Sequence, residues 1–568
     1  MQTKKVDVVI VGSGAGGAVV AKELSEAGLS VVVLERGKRY TKVDAHHDLL
    51  RSQYDNSGQL GYGPLVRANP RTFRLTPDQP AQLRYPNQGG YGRTAASVGG
   101  GTIAYGCMAW RFVPDDFRLA SKYGVPPGST VADWPITYDD LEPYYTRAEY
   151  EIGISGQAGA NPFDPPRSKP YPLPPMPPDR PARVFARGAE KLGLHPFPLP
   201  LAIITAPYDG RTPCIRCLHC ERFQCEVDAK SSMHATMIPK AEATGRCVVR
   251  AECMVREVLI DTRGRARGVA YYDTERRLRE QAADLVVVAC NASETPRLLL
   301  NSKSKLFPNG LANRTGQVGR HILDHTGGGT VIGYFEEEIF EPIGPAFNAG
   351  CADYVHRGGA VLGGGVITTL AEFRSPLFFA KHGVPNLGAR PWGREAKAFV
   401  RQNFRRALAL YSPGQGLPTE QNRVDLDPKV RDAWGIPVVR LTHRVHEMDV
   451  RSSHFLRNRM IEILRAAGAI ETLLPKVMGD EQLEQAVRTE LRGGIGEHQV
   501  GGCRMGNDQA TSVVNKYCQA HDVANLFVAD GSCFPTIGGF NPSLTIQANA
   551  FRVSDYIIRE WKGGGLRG

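Results

Sequence analysis

Val6-Asp-Val-Val-Ile-Val11 is an apolar run that passes straight into Gly12-Ser13-Gly14-Ala15-Gly-Gly17; an amphipathic segment then continues to Gly28, and a second apolar run ends on Glu35. Strand, glycine turn, helix, strand and acid in that order are the opening unit of a doubly wound α/β sheet. Gly12 permits the tight turn, Gly14 lets the backbone approach a pyrophosphate, and Gly17 lets the helix pack on the strand. The start of the helix, around Ser13 and Ala15, offers N–H groups and partial positive charge to the phosphates. Glu35 stands where an acid accepts hydrogen bonds from ribose hydroxyls, with Arg36 beside it. A dinucleotide is expected here, and these residues alone do not separate FAD from NAD.

Outward from this unit, residues 38 to 130 are irregular and rich in Gly, Asn and Pro, as loops laid over a cofactor would be. Between Pro162 and Pro181 ten of twenty residues are proline, which excludes helix and central strand and predicts an extended surface run. Residues 253 to 273 alternate and turn at Arg263-Gly264, a hairpin that carries Val255 as a further expected cofactor contact. Asp284-Leu-Val-Val-Val-Ala289 reads as a buried strand of a parallel sheet. The expected organisation is a discontinuous cofactor-binding domain of residues 1–150, 205–320 and 476–568. A proline-rich connector, 151–204, and a largely antiparallel substrate-binding domain, 321–475, complete it.

With 42% hydrophobic and 22% charged residues among 568, the chain has globular composition and no sign of wholesale disorder. Its net charge of +11 comes from 69 basic residues spread along the chain. The densest group, Arg401, Arg405 and Arg406, has helical spacing and reads as a solvated face, and no nucleic-acid motif accompanies it. No uninterrupted apolar run reaches the roughly 18 residues that span a bilayer, so no intrinsic membrane segment is expected. Met1-Gln-Thr-Lys-Lys leads directly into the first strand, leaving no room for a signal peptide. A cytoplasmic location follows, with export alongside a partner subunit left open. Twelve cysteines are too few for a disulfide scaffold of this length, and reduced thiols are expected.

Near the C-terminus, Gly496-Glu-His498-Gln-Val-Gly-Gly-Cys-Arg-Met505 is followed by Asp530-Gly531-Ser-Cys-Phe-Pro-Thr and, a few residues on, by Asn541-Pro542. These segments resemble the glucose-methanol-choline (GMC) oxidoreductase family, in which a histidine opening the first segment and a His or Asn after the second both lie over a flavin. The matching residues are His498 and Asn541. Val98-Gly-Gly100-Gly101-Thr102 is similar to the family's flavin-contacting loop, Asp133-Trp-Pro135 to the start of another family stretch, and Asn291 to Leu300 to the segment after the adenine-side strand. The resemblance runs through nearly the whole chain. It implies FAD rather than NAD and a p-hydroxybenzoate-hydroxylase-like architecture. Where some members attach the flavin through a histidine this chain has Ala104, which implies non-covalent FAD.

Oxidising a carbinol requires that its hydroxyl proton leave while a hydride passes from carbon to flavin N5. His498 can accept that proton near neutral pH, whereas Asn541 can only orient the oxygen. Pro542 suits the first turn of a helix that continues to Gly563, and in the family this helix start points at the flavin, where it would favour the anionic reduced form. His321 and His325 read as structural.

Cys214, Cys217, Cys220 and Cys225 lie within twelve residues. The first three have the spacing of a ferredoxin run, but the fourth follows after four residues and Glu226 replaces the usual proline. An iron–sulfur cluster, a structural zinc and unligated thiols all remain open. The sugar dehydrogenase branch of the family carries a three-iron cluster here and passes electrons to a cytochrome. The expected function is FAD-dependent oxidation of a sugar, glycoside or polyol CH–OH group, with electrons going to a non-NAD acceptor such as a protein or cytochrome subunit. An oxygen-using oxidase and a non-catalytic FAD electron-transfer subunit are the alternatives.

Overall fold

The apolar run Val6–Val11 forms β1, and its residues pair in parallel with β2 (Val31–Leu34) on one side and with the second half of β9 (Leu278–Val288) on the other. The computed structural model in which this is seen describes residues 4–45, 47, 69–86, 88, 90–92, 94–359, 361–370, 376, 379–380, 392–489 and 493–566. Parallel strands β6 (Cys247–Arg250), joined to β2, and β16 (Leu526–Val528), joined to β9, extend this half of the sheet. Valine and isoleucine on both faces suit a sheet covered on both sides, and Val8, Val9, Ile10 and Leu285 to Val288 are fully buried. The expected strand at Asp284 is the end of a longer one. The first half of β9 turns antiparallel to β8 (Ala266–Tyr272), which pairs with β7 (Met254–Ile260), so the hairpin at Arg263-Gly264 is part of the same seven-stranded sheet.

Helix α1 (Ala15–Glu26) follows β1 and packs against the long C-terminal helix Ser543–Lys562, which also packs against Tyr138–Ile152. Two glycines set the approach of α1 to the sheet. Gly12 holds φ at +96° and a Cβ there would lie 2.3 Å from the Ala289 carbonyl oxygen, and a Cβ on Gly16 would lie 1.6 Å from the Ala529 carbonyl oxygen. The N-terminus of α1 is thus wedged against the carbonyl ends of β9 and β16.

A second sheet is antiparallel throughout, in the order β10 (Gly329–Tyr334), β13 (Ala407–Ser412), β12 (Ile367–Leu370), β11 (Ala349–Cys351), β5 (Phe197–Pro198). A third joins β14 (Arg423–Arg431) and β15 (Pro437–Thr442) to β3 (Arg71–Arg74) and β4 (Gln82–Arg84). Residues 48–68, 371–375 and 381–391, which fall in the expected loop region and second domain, lie outside the described residues.

One expectation needs correction. The stretch 151–204 is more than a connector, because it carries helix Arg180–Lys191 and strand β5, which build the second layer. Asp179 caps that helix by accepting from Ala182 N at 2.8 Å, Pro181 occupies its first turn, and Val184, Phe185 and Ala189 are buried in the core formed with Glu447–Ala467. The prolines upstream hide a short capped helix whose apolar face is legible only at helical spacing. Likewise β3 leaves the expected first domain to pair with β15 of the second, and β4 pairs with β3.

Because the Ala529 carbonyl is fixed by β16, a methyl group at Gly16 has nowhere to move. Gly16→Ala is expected to lose about 3 kcal/mol of stability or more, by the overpacking argument. Thermal unfolding of the purified variant checks this, and a midpoint unchanged from the parent protein would refute the wedge.

Candidate active site

A cavity of about 850 Å³ opens at the carbonyl ends of β1, β9 and β16, the end of a doubly wound sheet where ligands bind. Gly12, Gly14, Ala15, Glu35, Arg36, Gly100, Gly101, Thr102, Val255, Asp530, Gly531, His498, Asn541 and Pro542 all line it. Ser13 and Gly17 stand behind the wall. Ser13 donates its hydroxyl to Glu35 Oε2 at 2.8 Å and accepts from Gly99 N at 3.1 Å, tying the first turn to the Gly100–Ile103 loop. A Cβ on Gly17 would sit 2.1 Å from the Gly12 carbonyl oxygen, so this glycine serves the packing of helix on turn.

The wall is a donor surface. Among the described residues no side chain caps α1 after Gly14 and none caps the C-terminal helix at Pro542, so the first amides of two helices are left to face this space. Asn541 Oδ1 is buried with no partner among the described residues, and it too lies on the wall. Glycine backbone, uncapped helix amides and an acid at the end of β2 fit a dinucleotide. Asp530 is buried and accepts from Asn291 N at 2.9 Å and Thr295 Oγ1 at 2.6 Å, which fastens the end of β16 to the segment after β9; burial raises its pKa above the ordinary range.

Glu294 was not singled out by sequence reasoning. It lines the cavity and takes Arg71 Nη2 at 2.6 Å and Arg297 Nη1 at 3.0 Å, with Arg36 Nη1 at 3.3 Å. Burial favours its neutral form, but the Arg36, Arg297 and Arg71 guanidiniums outweigh that and hold its pKa well below the carboxylate range. Arg297 also reaches Asp432 at 2.6 Å, so this buried network fastens the cofactor sheet to the third sheet. A buried glutamate after Asn291 carries no sequence signal of its own.

At the other end of the cavity, His498 and Asn541 come together, with Asn541 Nδ2 3.0 Å from His498 Nε2. His498 Nδ1 lies 2.9 Å from Nδ1 of His325, whose Nε2 is 3.0 Å from the Gly538 carbonyl oxygen. His325, expected to be structural, is placed directly behind His498 by this contact. His321 is elsewhere, bonded to Thr130 and Gln317. Asp324 accepts the backbone N–H of His325 at 2.6 Å and that of Gly496, and burial pushes its pKa up to about 7. Burial also lowers the pKa of His498. Thr330, Phe347, Leu370 and Tyr411, from the antiparallel sheet and the loop before β11, close this end; no motif marks them in the sequence.

The four cysteines lie off the cavity, but Glu221 and Arg222 between them are on its wall, and Arg222 N donates to the Ala104 carbonyl at 2.7 Å. All are free thiols. Burial pushes the Cys214 thiol up to about 12, and the charges of Cys220, Cys225 and Cys217 act in the same direction. Cys107, which the sequence reading did not include, lies in hydrogen-bond range of Cys220. Cys217 instead shares a space with His47 and His219, their ligand atoms within 4.8 Å of one another. Among the described residues the four thiols do not close on a single point as a tetrahedral zinc would require. The loop is tightly coiled, with Arg216, Leu218 and Arg222 all at positive φ, and Arg216 N donates to Cys214 Sγ at 3.3 Å.

Family models described as GMC oxidoreductase match residues 130–327 and 418–550, and a model described as FAD binding domain matches 5–47. The chain belongs to the GMC oxidoreductases. This GMC chain is 33% identical over 561 residues to the 2-methyl-1,2-propanediol dehydrogenase of Mycolicibacterium austroafricanum, covering 98% of this chain and 95% of that one. It is 29% identical to the fructose dehydrogenase large subunit of Gluconobacter japonicus, over 99% of both chains. The gluconate 2-dehydrogenase flavoprotein of Pantoea cypripedii is also 29% identical, over 96% of this chain and 92% of that one. Among solved structures, a formate oxidase of Aspergillus oryzae RIB40 superposes with a TM-score of 0.66 at 14% identity over 100% of both chains. A pyridoxine 4-oxidase from Mesorbium loti does so with 0.61 at 17%, over 98% of this chain and 99% of that one. The fold is the mixed α/β fold of these enzymes, and the chain is an FAD-dependent oxidoreductase. No helix among the described residues is long and apolar enough to cross a membrane.

The Glu294 network supplies a direct check on the cofactor end. Glu294→Gln leaves Arg36, Arg71 and Arg297 without their shared anion in a buried site, and is expected to destabilise the protein by about 3 kcal/mol and weaken FAD retention. Flavin content after gel filtration reads this; full retention with an unchanged melting point would contradict it.

Proposed function

We propose that this chain oxidises a CH–OH group of a polyol, sugar or glycoside to a carbonyl, with His498 as general base, and passes the electrons to an acceptor other than NAD. The observation that carries the reading is the pairing of His498 and Asn541 at 3.0 Å on the cavity wall, with the Asn541 oxygen unpartnered. The residues around Gly12, Gly100 and Asp530 would hold FAD, and Ala104 offers no atom for a covalent link, which supports non-covalent binding. FAD, when bound, supplies the hydride acceptor. A substrate hydroxyl seated between the two side chains gives its proton to His498 Nε2 as the carbon–hydrogen bond breaks, and Asn541 orients the oxygen through its amide. Phe347, Leu370 and Tyr411 add apolar surface to the same wall, which strengthens polar contacts made beside it. The polyol and sugar class, and the choice of dehydrogenase over oxidase, rest on the relatives' names: a diol dehydrogenase, a fructose dehydrogenase subunit and a gluconate 2-dehydrogenase flavoprotein.

His498→Ala is expected to bind FAD and to bleach it with substrate roughly a hundred- to ten-thousand-fold more slowly. A variant that bleaches at the parent rate overturns the assignment. A panel of 2-methyl-1,2-propanediol, fructose, gluconate, glycosides and simple alcohols, mixed anaerobically with the holoenzyme, identifies the class. Burial lowers the pKa of His498, so the free base persists below the ordinary histidine value of about 6.5. The rate of flavin bleaching should therefore hold as pH falls to about 6.5 and decline only below it. A limb centred above neutrality would contradict this.

We further propose that the loop of Cys214, Cys217, Cys220 and Cys225 carries an iron–sulfur cluster, a reading supported by four thiols within twelve residues of a coiled loop whose Glu221 and Arg222 line the cavity. Electrons would leave the flavin by this side toward a protein acceptor, the large-subunit name of one relative being in keeping with a partner. Anaerobically purified protein should contain iron and acid-labile sulfide, both lost in Cys220→Ser. Protein with neither would end the cluster reading.

A further inference from the structure

The Gly538 carbonyl can only accept a hydrogen bond, and His325 Nε2 lies 3.0 Å from it. His325 Nε2 must therefore carry a proton. Burial disfavours the charged ring strongly enough that its pKa is held well below the usual value, even though the Gly538 and Phe540 carbonyls favour the proton. In a neutral ring with Nε2–H, the other nitrogen, Nδ1, is a lone pair. His498 Nδ1, 2.9 Å away, must then be the donor. Asn541 Nδ2 can only donate, so His498 Nε2, 3.0 Å away, accepts from it and has no proton. One carbonyl thus sets the proton positions of two imidazoles in series.

We propose that His325 is a positioning residue that locks His498 in the tautomer whose free lone pair, on Nε2, faces the cavity. The inference rests on His498 being the base. His325 does not line the cavity and touches no reacting atom. A second histidine here, in place of the carboxylate common behind a catalytic histidine, orients the ring without adding negative charge. When His498 accepts the substrate proton at Nε2, its Nδ1–H remains bonded to the His325 lone pair, and that bond becomes charge-assisted. The acid that could have stood in this place, Asp324, is turned instead to backbone N–H groups of His325, Gly496 and His498. Glu497 and Glu221 are the remaining charged groups that act on His498.

Three variants of the FAD-loaded enzyme test the lock. In His325→Gln the amide can donate to Gly538 and accept from His498, so flavin bleaching should stay within about threefold of the parent. In His325→Leu the acceptor is gone, and bleaching should fall about 10- to 100-fold with FAD content unchanged, the usual scale for a group supporting a functional histidine. In His325→Asp an anion faces His498, and the acid limb of the pH–rate profile should move to higher pH by about one unit or more. Asp324, whose carboxylate lies within 4.8 Å of both rings, titrates in the same range, so the tautomer is read together with the pH limb. Because no substrate is needed to read a tautomer, 15N-histidine NMR of the oxidised holoenzyme gives an independent view, with the His498 signals assigned by their loss in His498→Ala. His498 should be Nδ1-protonated in the parent and in His325→Gln, and should shift toward Nε2–H in His325→Leu. Failure of the base reading alone would leave this NMR result intact while His498→Ala bleached normally. His498 with its proton on Nε2 in the parent, or His325→Gln losing as much activity as His325→Leu, overturns the proposal.

Discussion

The close contact of the α1 N-terminus with the carbonyl ends of β9 and β16 is the constraint from which the rest of the molecule follows. With no side chain at Gly12 or Gly16, the first turn of α1 sits directly on the Ala289 and Ala529 carbonyls. That contact brings together three segments far apart in sequence: the turn after β1, the segment after β9 that holds Asn291 and Glu294, and the segment after β16 that begins with Asp530. Asp530 then ties the second and third of these by accepting from Asn291 and Thr295. The cavity is the space left at their common edge.

The chemistry at the far end depends on the same frame. Asn541 stands at the start of the C-terminal helix, which packs on α1, while His498 comes from a strand-like segment paired through Val500 with Leu323. That pairing also delivers Asp324 and His325, two residues farther along, to the back of His498. The two histidines therefore meet because two extended segments run side by side, and the carbonyl of Gly538 closes the arrangement from a third direction.

Much of this was legible in the sequence, for definite physical reasons. The apolar strand, its glycines and the acid at Glu35 form a local pattern with one structural meaning, and His498 with Asn541 sits in long motif segments. What stayed hidden depends on distant partners. His325 looked structural because its role exists only in the contact with His498, 173 residues away. Glu294 and Arg71 are an ordinary pair of charges until folding buries them together. The helix Arg180–Lys191 was masked by the prolines before it, and β3 gave too little periodicity to reveal a pairing with β15. Cys107 is a lone cysteine in sequence and a neighbour of Cys220 only in the fold. The substrate end is lined by residues from several strands and loops, and no spacing along the chain encodes such a surface.

The central claim is that His498 takes the hydroxyl proton while the carbinol hydrogen leaves as hydride. Anaerobic stopped-flow bleaching of the flavin, with a substrate deuterated at the carbinol carbon, measures that step directly in the parent enzyme and in His498→Ala. The account predicts a primary isotope effect on bleaching in the parent and a rate that collapses in the variant while its flavin spectrum is retained. Bleaching in His498→Ala at the parent rate, or a deuterated substrate reacting as fast as the ordinary one when bleaching is limited by chemistry, would contradict it.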